Sequence, residues 1–460
     1  MREHSLSTAL PRQFSGPIVA IATGWLLVNA VLFWLYFHGA AKTLIGDEAM
    51  YDAVALAQLN GQNISLNFIW PPGQKWFLMA LHALTGPGRV GILVVQTGLL
   101  PLCGWLLYRL WLLLDRRAAA LWACALFLLN PGVLAYAHWL WPEVPHLACL
   151  LGALLLLADR ERSTWPRALA AGALIGAALL FKSLLAAFWP FMLLLFLVRW
   201  QGRRPFVAWK SLAAFLLGLV VITAPSFWQG WRETGRPMIA DSSIYNLYVG
   251  LIDLSRSDYI DEWGMTTLTP FLESGTTPQQ RNAVYASKID ALLEQRGFFN
   301  VVLEQVGRQY FRLFNAKSLL VSQLPGPGCA GYLAAYTESP LTGPLDWVTR
   351  ALHGLLLALA AVGIATWRRW RQPLLVVIML FFGYQLALYL GLHVMQRYLF
   401  PFLPFLCGFA GSALAGWTTE RGNDKSTLTF TPTRLLLAVL LASLLLGLAF
   451  LGPMLDGSRC

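Results

Sequence analysis

A succession of apolar segments, most of them about 20 residues long, constrains this chain more than any other feature of its sequence. These segments recur along almost all of its 460 residues. Only 12% of the residues are charged, whereas about 25% are charged in an ordinary soluble domain. The mean hydropathy is +0.57. The sequence therefore predicts an all-α polytopic membrane protein.

Hydropathy and basic residues together predict how the chain crosses the membrane. We expect about 11 transmembrane helices, near 17–38, 90–114, 118–137, 144–158, 167–181, 183–198, 207–225, 346–366, 373–392, 398–417 and 434–454. The first is longer than the core of a signal peptide and lacks a cleavage site, so we expect it to be retained. Lys and Arg are concentrated before it and in alternate loops, which places the N-terminus in the cytoplasm and the C-terminus outside. The net charge of +11 thus reflects topology, and no nucleic acid is expected as a partner.

Two regions on the outer side divide the chain into predicted domains. An N-terminal transmembrane module, 1–225, contains the first outer loop, 39–89, where DEAMYDAVALAQL and KWFLMALHAL are predicted to form interfacial helices. A small mixed loop region, 226–345, is predicted to cap it and to hold a helix over PQQRNAVYASKIDALLEQ. Residues 346–460 form the C-terminal transmembrane helices. The cytoplasmic loops are short and contain no phosphate-binding glycine loop, so ATP-driven transport by this chain is not expected.

The six cysteines show no metal-ligand spacing. Four are expected to be packing residues within spans, namely Cys103, Cys124, Cys149 and Cys407. Cys329 and Cys460 would both face the oxidising side, and a disulfide between them is left open. No cofactor is implied, and a divalent metal is left open without support from the sequence.

The predicted outer ends of the spans carry acids, bases and aromatic residues at about one depth. A carboxylate there can act as a general base toward a hydroxyl group, and cations can hold a phosphate that leaves. Ionisable residues are costly at a membrane, so a function is the default expectation. Structural alternatives remain open for these residues. They are a solvated loop or helix capping for Asp47 and Glu48, helix capping for Glu143, snorkelling for Lys182, pairing with an outer-loop acid for Arg397, and interfacial hydrogen bonding for His138 and His393.

Several motifs carry a resemblance to a known superfamily. DEAMY follows the first span, Pro71, Pro72 and Gly73 come shortly after it, and QRYLFPFLP opens a late span. WLWPEVPHLACLLGALLLL and FWQGWRETGRPMIADSSIYNLYVG lie between them in the same order. Together they resemble the GT-C glycosyltransferases, in the branch of the protein O-mannosyltransferases and aminoarabinose transferases. Met50 and Trp70 stand where some members of that branch carry a cation and a lysine.

The resemblance implies an enzyme that uses a polyprenyl-phosphate-linked sugar and inverts the anomeric centre in one displacement. It implies Asp47 as the catalytic carboxylate with Glu48 beside it, and the pair Arg397–Tyr398 at the donor. With the outward-facing residues above, the hypothesis assigns the donor phosphate to Arg397, Lys182, Arg89 and Tyr398. Further substrate contacts are expected from Tyr51, Trp70, His138, Glu143 and His393.

The resulting hypothesis is a glycosyltransferase of the bacterial inner membrane with a periplasmic active site. Its partners would be a polyprenyl-phosphate-linked sugar, a hydroxyl acceptor on a lipid, glycan or protein, and the surrounding membrane lipids. Two alternatives stay open. One is a flippase or transporter of lipid-linked glycans, and the other is a transferase resembling an O-antigen ligase.

Overall fold

Helices make up nearly all of the chain that the structure describes. It is a computed structural model, which describes residues 15–37, 44, 46–62, 64, 68–158, 164–197, 199–201, 204–206, 209–256, 261–321, 340–418 and 427–456. Cys329 and Cys460 lie outside these residues. The helices are α1 Ser15–Phe37, α2 Asp47–Leu59, α3 Gly73–Thr85, α4 Arg89–Leu114, α5 Arg117–Leu128, α6 Pro131–Ala135, α7 Glu143–Ala158, α8 Trp165–Phe181, α9 Trp189–Met192, α10 Leu194–Leu197, α11 Trp209–Thr234, α12 Ser243–Ile252, α13 Asp261–Glu273, α14 Pro278–Arg296, α15 Phe298–Phe314, α16 Thr342–Thr366, α17 Pro373–Gly391, α18 Leu403–Thr418 and α19 Pro432–Asp456. Two short strands, β1 Arg199–Gln201 and β2 Arg204–Phe206, form an antiparallel pair.

The predicted all-α membrane fold is confirmed. Within the described ranges, six helices are long and apolar enough to cross a bilayer, namely α1, α4, α11, α16, α17 and α19. A seventh crossing is possible if α5 and residues 131–138, bent by 53° against each other, count as one. The bend has a local cause, because the side chain of Asn130 caps the next helix and Pro131 lacks the amide that would continue the previous one. The count of 11 spans stays a prediction.

The structure differs from the expected span at 183–198. Its residues form a short 3-10 helix, Ser183–Leu185, followed by α9 and α10, instead of one helix. Lys182 is extended at the end of α8, and Pro190 starts α9 because its fixed φ suits a first turn. The break leaves Lys182 at the end of a helix, where its side chain can reach polar groups.

The predicted helices of the outer regions are present. α2 and α3 match the two stretches expected in the first outer loop, and they pack against each other. α14 matches the helix expected in the cap region and starts with a capping box between Thr277 and Gln280. The described residues of 235–345 are otherwise arranged mainly as α12, α13, α15 and the start of α16.

Glycine allows α8 and α11 to approach closely. A Cβ atom added to Gly172 would collide with the carbonyl oxygen of Phe215, and one added to Gly218 would collide with that of Leu169. Small residues at such crossings permit backbone contact between membrane helices. α8 carries Lys182 at its end, so this contact also determines where that residue lies.

Replacing Gly172 with leucine is therefore expected to lower the free energy of unfolding by about 3 kcal/mol, because no flexible side chain can move aside. Gly383→Leu is the matched control, since Gly383 lies in α17 with no atom within 4 Å of an added Cβ. Thermal unfolding in detergent, followed by size-exclusion chromatography of the soluble fraction, measures both. Equal midpoints for the two variants would contradict the predicted close contact.

Candidate active site

A cavity of about 550 Å³ gathers most of the residues expected to be functional. Its walls come from the start of α2, the segments 69–71, 139–143 and 181–184, the start of α12, and residues 389–398. Among the predicted residues it is lined by Asp47, Tyr51, Trp70, Glu143, Lys182, His393, Arg397 and Tyr398. Glu48, Arg89 and His138 do not line it.

Two acids and two bases form an alternating row along the cavity. Arg397 Nη2 donates to Asp47 Oδ2 at 2.5 Å, and Arg397 Nε lies 3.9 Å from Glu143 Oε1. Lys182 Nζ donates to the same Glu143 oxygen at 2.9 Å. Burial by itself lowers the pKa of Arg397, but the charges of Asp47 and Glu143 raise it well above its usual value. Arg397 is therefore a permanent cation at the centre of the row.

Local backbone structure places each member of the row. Gly46 precedes α2 with φ of 58°, a conformation that glycine adopts without strain, and it puts Asp47 on the first turn. Glu143 begins α7, and Arg397 lies in the 3-10 helix Gln396–Leu399. Lys182 ends α8, and burial lowers its pKa while the charge of Glu143 opposes that effect. Four separate segments thus contribute one charge each.

The side chains of Trp139 and Trp141 form an aromatic wall beside Arg397. Their rings stack with centroids 4.1 Å apart, and the Arg397 guanidinium lies 4.7 Å from the Trp141 ring centroid. A guanidinium over an indole face gains a cation–π attraction. The wall therefore helps to hold Arg397 in place and provides a flat apolar surface in the cavity.

Glu48 holds this wall in place from behind. Its carboxylate is fully buried and accepts a hydrogen bond from the backbone amide of Leu140 at 3.1 Å. Gln74 donates to the carbonyl of Leu140 at 2.9 Å, and Gln96 donates to the carbonyl of Trp139 at 2.7 Å. The neighbouring carboxylates of Asp47 and Glu48 thus point to different surroundings, one to the cavity and one to the loop that carries the tryptophans.

Helices α12 and α15 hold the segment that leads to Arg397. His393 N donates to the carbonyl of Asn246 on α12 at 2.8 Å, and Val394 N donates to the side chain of Gln309 on α15 at 3.2 Å. Gly250 permits this contact, since a Cβ atom there would lie 2.7 Å from His393 N. Helices α12 and α15 therefore help to position the segment that lines the cavity before Arg397.

His393 also lies beside a buried ion pair between α12 and α15. Arg312 Nη1 lies 2.9 Å from Asp253 Oδ2, and both side chains are almost fully buried. The His393 ring lies 3.8 Å from the same carboxylate oxygen. Burial lowers the pKa of His393 well below its usual value, and the charges of Arg312 and Arg397 act in the same direction. The ring is therefore neutral at pH 7.

Two predicted residues occupy other surroundings. Arg89 Nε donates to Asp52 Oδ2 at 3.3 Å, and His82 Nε2 lies 2.8 Å from the other oxygen of that carboxylate. This cluster ties α2 to α3 and α4. His138 is fully buried, with its ring centroid 5.0 Å from that of Phe33. Both are thus placed as contacts between helices.

The cavity also contains residues that the sequence analysis did not select, among them Asn246, Lys317 and Tyr389. The Tyr389 ring stacks on Tyr398 with centroids 5.7 Å apart. Tyr389 lies in a continuous apolar helix, where no local motif distinguishes it. Among the described residues, no group of three His, Cys, Asp or Glu side chains could hold a metal ion.

The Lys182–Glu143 pair gives a test of the charge row. Lys182→Met should lower the free energy of unfolding by about 3 kcal/mol, because it leaves the carboxylate of Glu143, only 1% exposed, without its nearest cation. The double variant Lys182→Met/Glu143→Gln should recover most of this loss, since it removes the buried charge as well. Lys210→Met, at the exposed start of α11, is the control. Thermal unfolding in detergent measures all three, and a double variant no more stable than the single one would disprove the pairing.

One protein family matches part of the chain. The family model of the dolichyl-phosphate-mannose-protein mannosyltransferases matches residues 70–228, which is less than half of the sequence. The match includes Pro71, Pro72 and Gly73, together with the 139–143 wall of the cavity. No protein of curated function matches the chain.

Solved structures show a general likeness at low identity. The oligosaccharyltransferase AglB from Archaeoglobus fulgidus, in complex with an inhibitory peptide and a dolichol-phosphate, has a TM-score of 0.48 at 12% identity, covering 97% of this chain and 56% of that one. ArnT from Cupriavidus metallidurans, bound to undecaprenyl phosphate, has a TM-score of 0.38 at 18% identity, covering 86% of this chain and 78% of that one. This chain thus spans little more than half the length of the archaeal enzyme. The resemblance predicted from the motifs is confirmed: over residues 70–228 the chain is similar to the dolichyl-phosphate-mannose-protein mannosyltransferases.

Proposed function

We propose that this protein is a membrane glycosyltransferase that moves a sugar from a polyprenyl-phosphate donor to a hydroxyl group. One observation carries the proposal: Asp47, Arg397, Glu143 and Lys182 form a row of paired charges in one cavity with aromatic walls. The similarity to a mannosyltransferase family over residues 70–228 supports the same class of reaction. So do the lipid phosphates named in the AglB and ArnT structures.

The proposed reaction is a single displacement with inversion. Asp47 accepts the proton of the acceptor hydroxyl group. At the same time, the oxygen of that hydroxyl group attacks C1 of the sugar. The new C1–O bond forms as the bond from C1 to the phosphate oxygen breaks, and the polyprenyl phosphate leaves with the electron pair. Arg397 and Lys182 neutralise the charge that develops on the departing phosphate. No external oxidant, reductant or nucleotide is needed.

Asp47 suits the role of base better than its neighbour. Its side chain is 29% exposed toward the cavity, whereas Glu48 is fully buried and bound to the Leu140 amide. A general base has to reach the proton that it removes. We therefore assign Glu48 to positioning of the tryptophan wall and keep Asp47 as the catalytic group.

The other assigned residues take their proposed roles from where they lie, in the cavity or outside it. Tyr398 lies beside both cations, with Lys182 Nζ 4.7 Å from its ring centroid, and it would help to orient the donor phosphate. Tyr51 and Trp70, whose ring centroids are 6.3 Å apart, would contact the sugar or the acceptor. Glu143 would orient the two cations, and His393 would hold the segment before Arg397. Arg89 would stabilise the first outer loop through Asp52, and His138 would pack behind the wall.

The cellular setting belongs to the same proposal. The alternating basic loops predict an active site on the outer face of the membrane, with the N-terminus inside. The resemblance to the GT-C glycosyltransferases implies that this membrane is a bacterial inner membrane. The donor sugar would be carried on undecaprenyl phosphate or a similar lipid. A lipid, a glycan or a protein could supply the hydroxyl group.

Asp47→Asn gives the sharpest test. The amide is nearly isosteric with the carboxylate but is a poor base, so transfer should fall at least about 100-fold. The purified full chain is incubated with cell-envelope extract and a radiolabelled polyprenyl-phosphate sugar pool, and released polyprenyl phosphate is quantified. Asp290→Asn, on the exposed side of α14, should transfer normally. Wild-type turnover in Asp47→Asn would refute the role of Asp47.

The same assay separates the alternatives. Release of polyprenyl monophosphate supports the proposed reaction. Release of diphosphate would instead indicate transfer of a whole glycan by a ligase. Movement of the intact lipid-linked sugar across a vesicle membrane, with no bond cleavage, would indicate transport and would overturn the proposal.

A further inference from the structure

A second, smaller cavity lies on the other side of the Trp70–Pro72 segment. Its volume is about 150 Å³. Trp70 lines both cavities, while Pro71 faces the large one and Pro72 the small one. The rest of its lining includes Lys75, Ser226, Gln229 and Glu233. The two cavities are thus neighbours that share one wall.

Lys75 contributes a buried cation to the small cavity. It lies on the first turn of α3 and is only 8% exposed. Within the described parts of the chain, its ammonium has neither a hydrogen-bond acceptor nor a carboxylate within 4.0 Å. Burial lowers the pKa of Lys75, and the charge of Glu233 opposes this only in part. An anion in the cavity would therefore give this ammonium the close partner that it lacks.

Ser226 adds an independent polar group to the same space. It lies on α11 and is 3% exposed. Its hydroxyl has no hydrogen-bond partner among the described residues. A hydroxyl group can donate one hydrogen bond, and a buried hydroxyl without a partner is unfavourable. Two elements distant in sequence therefore bring an unpaired cation and an unpaired donor to one cavity.

The acid in the lining does not supply the missing partner. Glu233 is exposed, and its carboxylate accepts a hydrogen bond from Gln229 Nε2 at 2.8 Å. It stands at the rim, whereas Lys75 and Ser226 are buried. The interior of the small cavity is therefore positive and rich in hydrogen-bond donors.

We propose that the small cavity binds an anionic group, a phosphate or a carboxylate, carried by the acceptor. This inference rests on the proposed glycosyl transfer. An acceptor anchored at Lys75 and Ser226 would extend past Trp70 into the large cavity and present its hydroxyl group to Asp47. The donor phosphate has its own cations in the large cavity, Arg397 and Lys182, so the two anions occupy separate sites.

The test uses the full chain in nanodiscs of zwitterionic lipid, saturated with undecaprenyl phosphate to fill the donor site. Inorganic phosphate is then titrated, and broadening of its ³¹P resonance reports binding. We expect wild-type protein to bind it under these conditions. Lys75→Met should weaken the affinity at least about tenfold and Ser226→Ala about threefold, because a charged and a neutral hydrogen bond are lost. Lys288→Met should leave it unchanged.

A thermal measurement guards against loss of fold. Without phosphate, Lys75→Met should unfold at the wild-type temperature or above, since it removes an uncompensated buried charge. A large destabilisation would mean that Lys75 is a structural residue, and it would overturn the proposal. Phosphate affinity unaffected by both variants would overturn it as well.

Two further measurements separate failure of the proposed function from failure of the anion site, and they show which anion the site prefers. If undecaprenyl phosphate does not bind to wild-type protein, or binds Arg397→Met equally well, the proposed function fails regardless of Lys75. If undecaprenyl phosphate displaces all of the inorganic phosphate, the small cavity is not a separate site. Competition by acetate indicates a site that accepts carboxylates, and its absence indicates a site selective for phosphate; both results support an anionic acceptor.

Discussion

The pairing of Asp47 with Arg397, and of Glu143 with Lys182, is the interaction on which the arrangement of the large cavity depends. Charges taken out of water must be paired, or the fold loses several kilocalories per mole. The four residues come from four segments that are distant in sequence. Each pair therefore fixes one helix end against another segment, and the cavity lies between these segments.

Side chains that bind backbone atoms provide the second layer of support. Polar backbone groups at membrane depth have little water available, so an irregular segment needs partners from the protein. Glu48, Gln74 and Gln96 supply them for the tryptophan wall, and Gln309 supplies one for the segment before Arg397. These side chains explain how two loops without regular structure can keep a fixed position in the cavity wall.

Hydropathy predicted the long helices, because each of these segments is apolar enough by itself to be buried in lipid. The spacing of apolar residues predicted the helices of the outer regions. The sequence analysis also selected Asp47, Glu143, Lys182 and Arg397, and the structure brings all four to one cavity. Contacts between distant segments could not be predicted from the sequence. Asp47 and Glu48 are adjacent in a helix, so their side chains point about 100° apart. The local sequence does not show which of these two directions faces the cavity. The partners of Arg89, the break after Lys182 and the second cavity likewise depend on how the helices pack.

The charge row also suggests an order of events in the proposed reaction. Both cations are already neutralised by carboxylates, so a donor phosphate has to compete for them. Asp47 is 29% exposed and Glu143 only 1%, which makes Asp47 the carboxylate that a phosphate can displace from Arg397. Displacement would free Asp47 to accept a proton at the moment when the donor is in place. A base that is released only by the donor phosphate would leave acceptor hydroxyl groups unreactive in its absence, and it gives the short Asp47–Arg397 contact a role in the reaction.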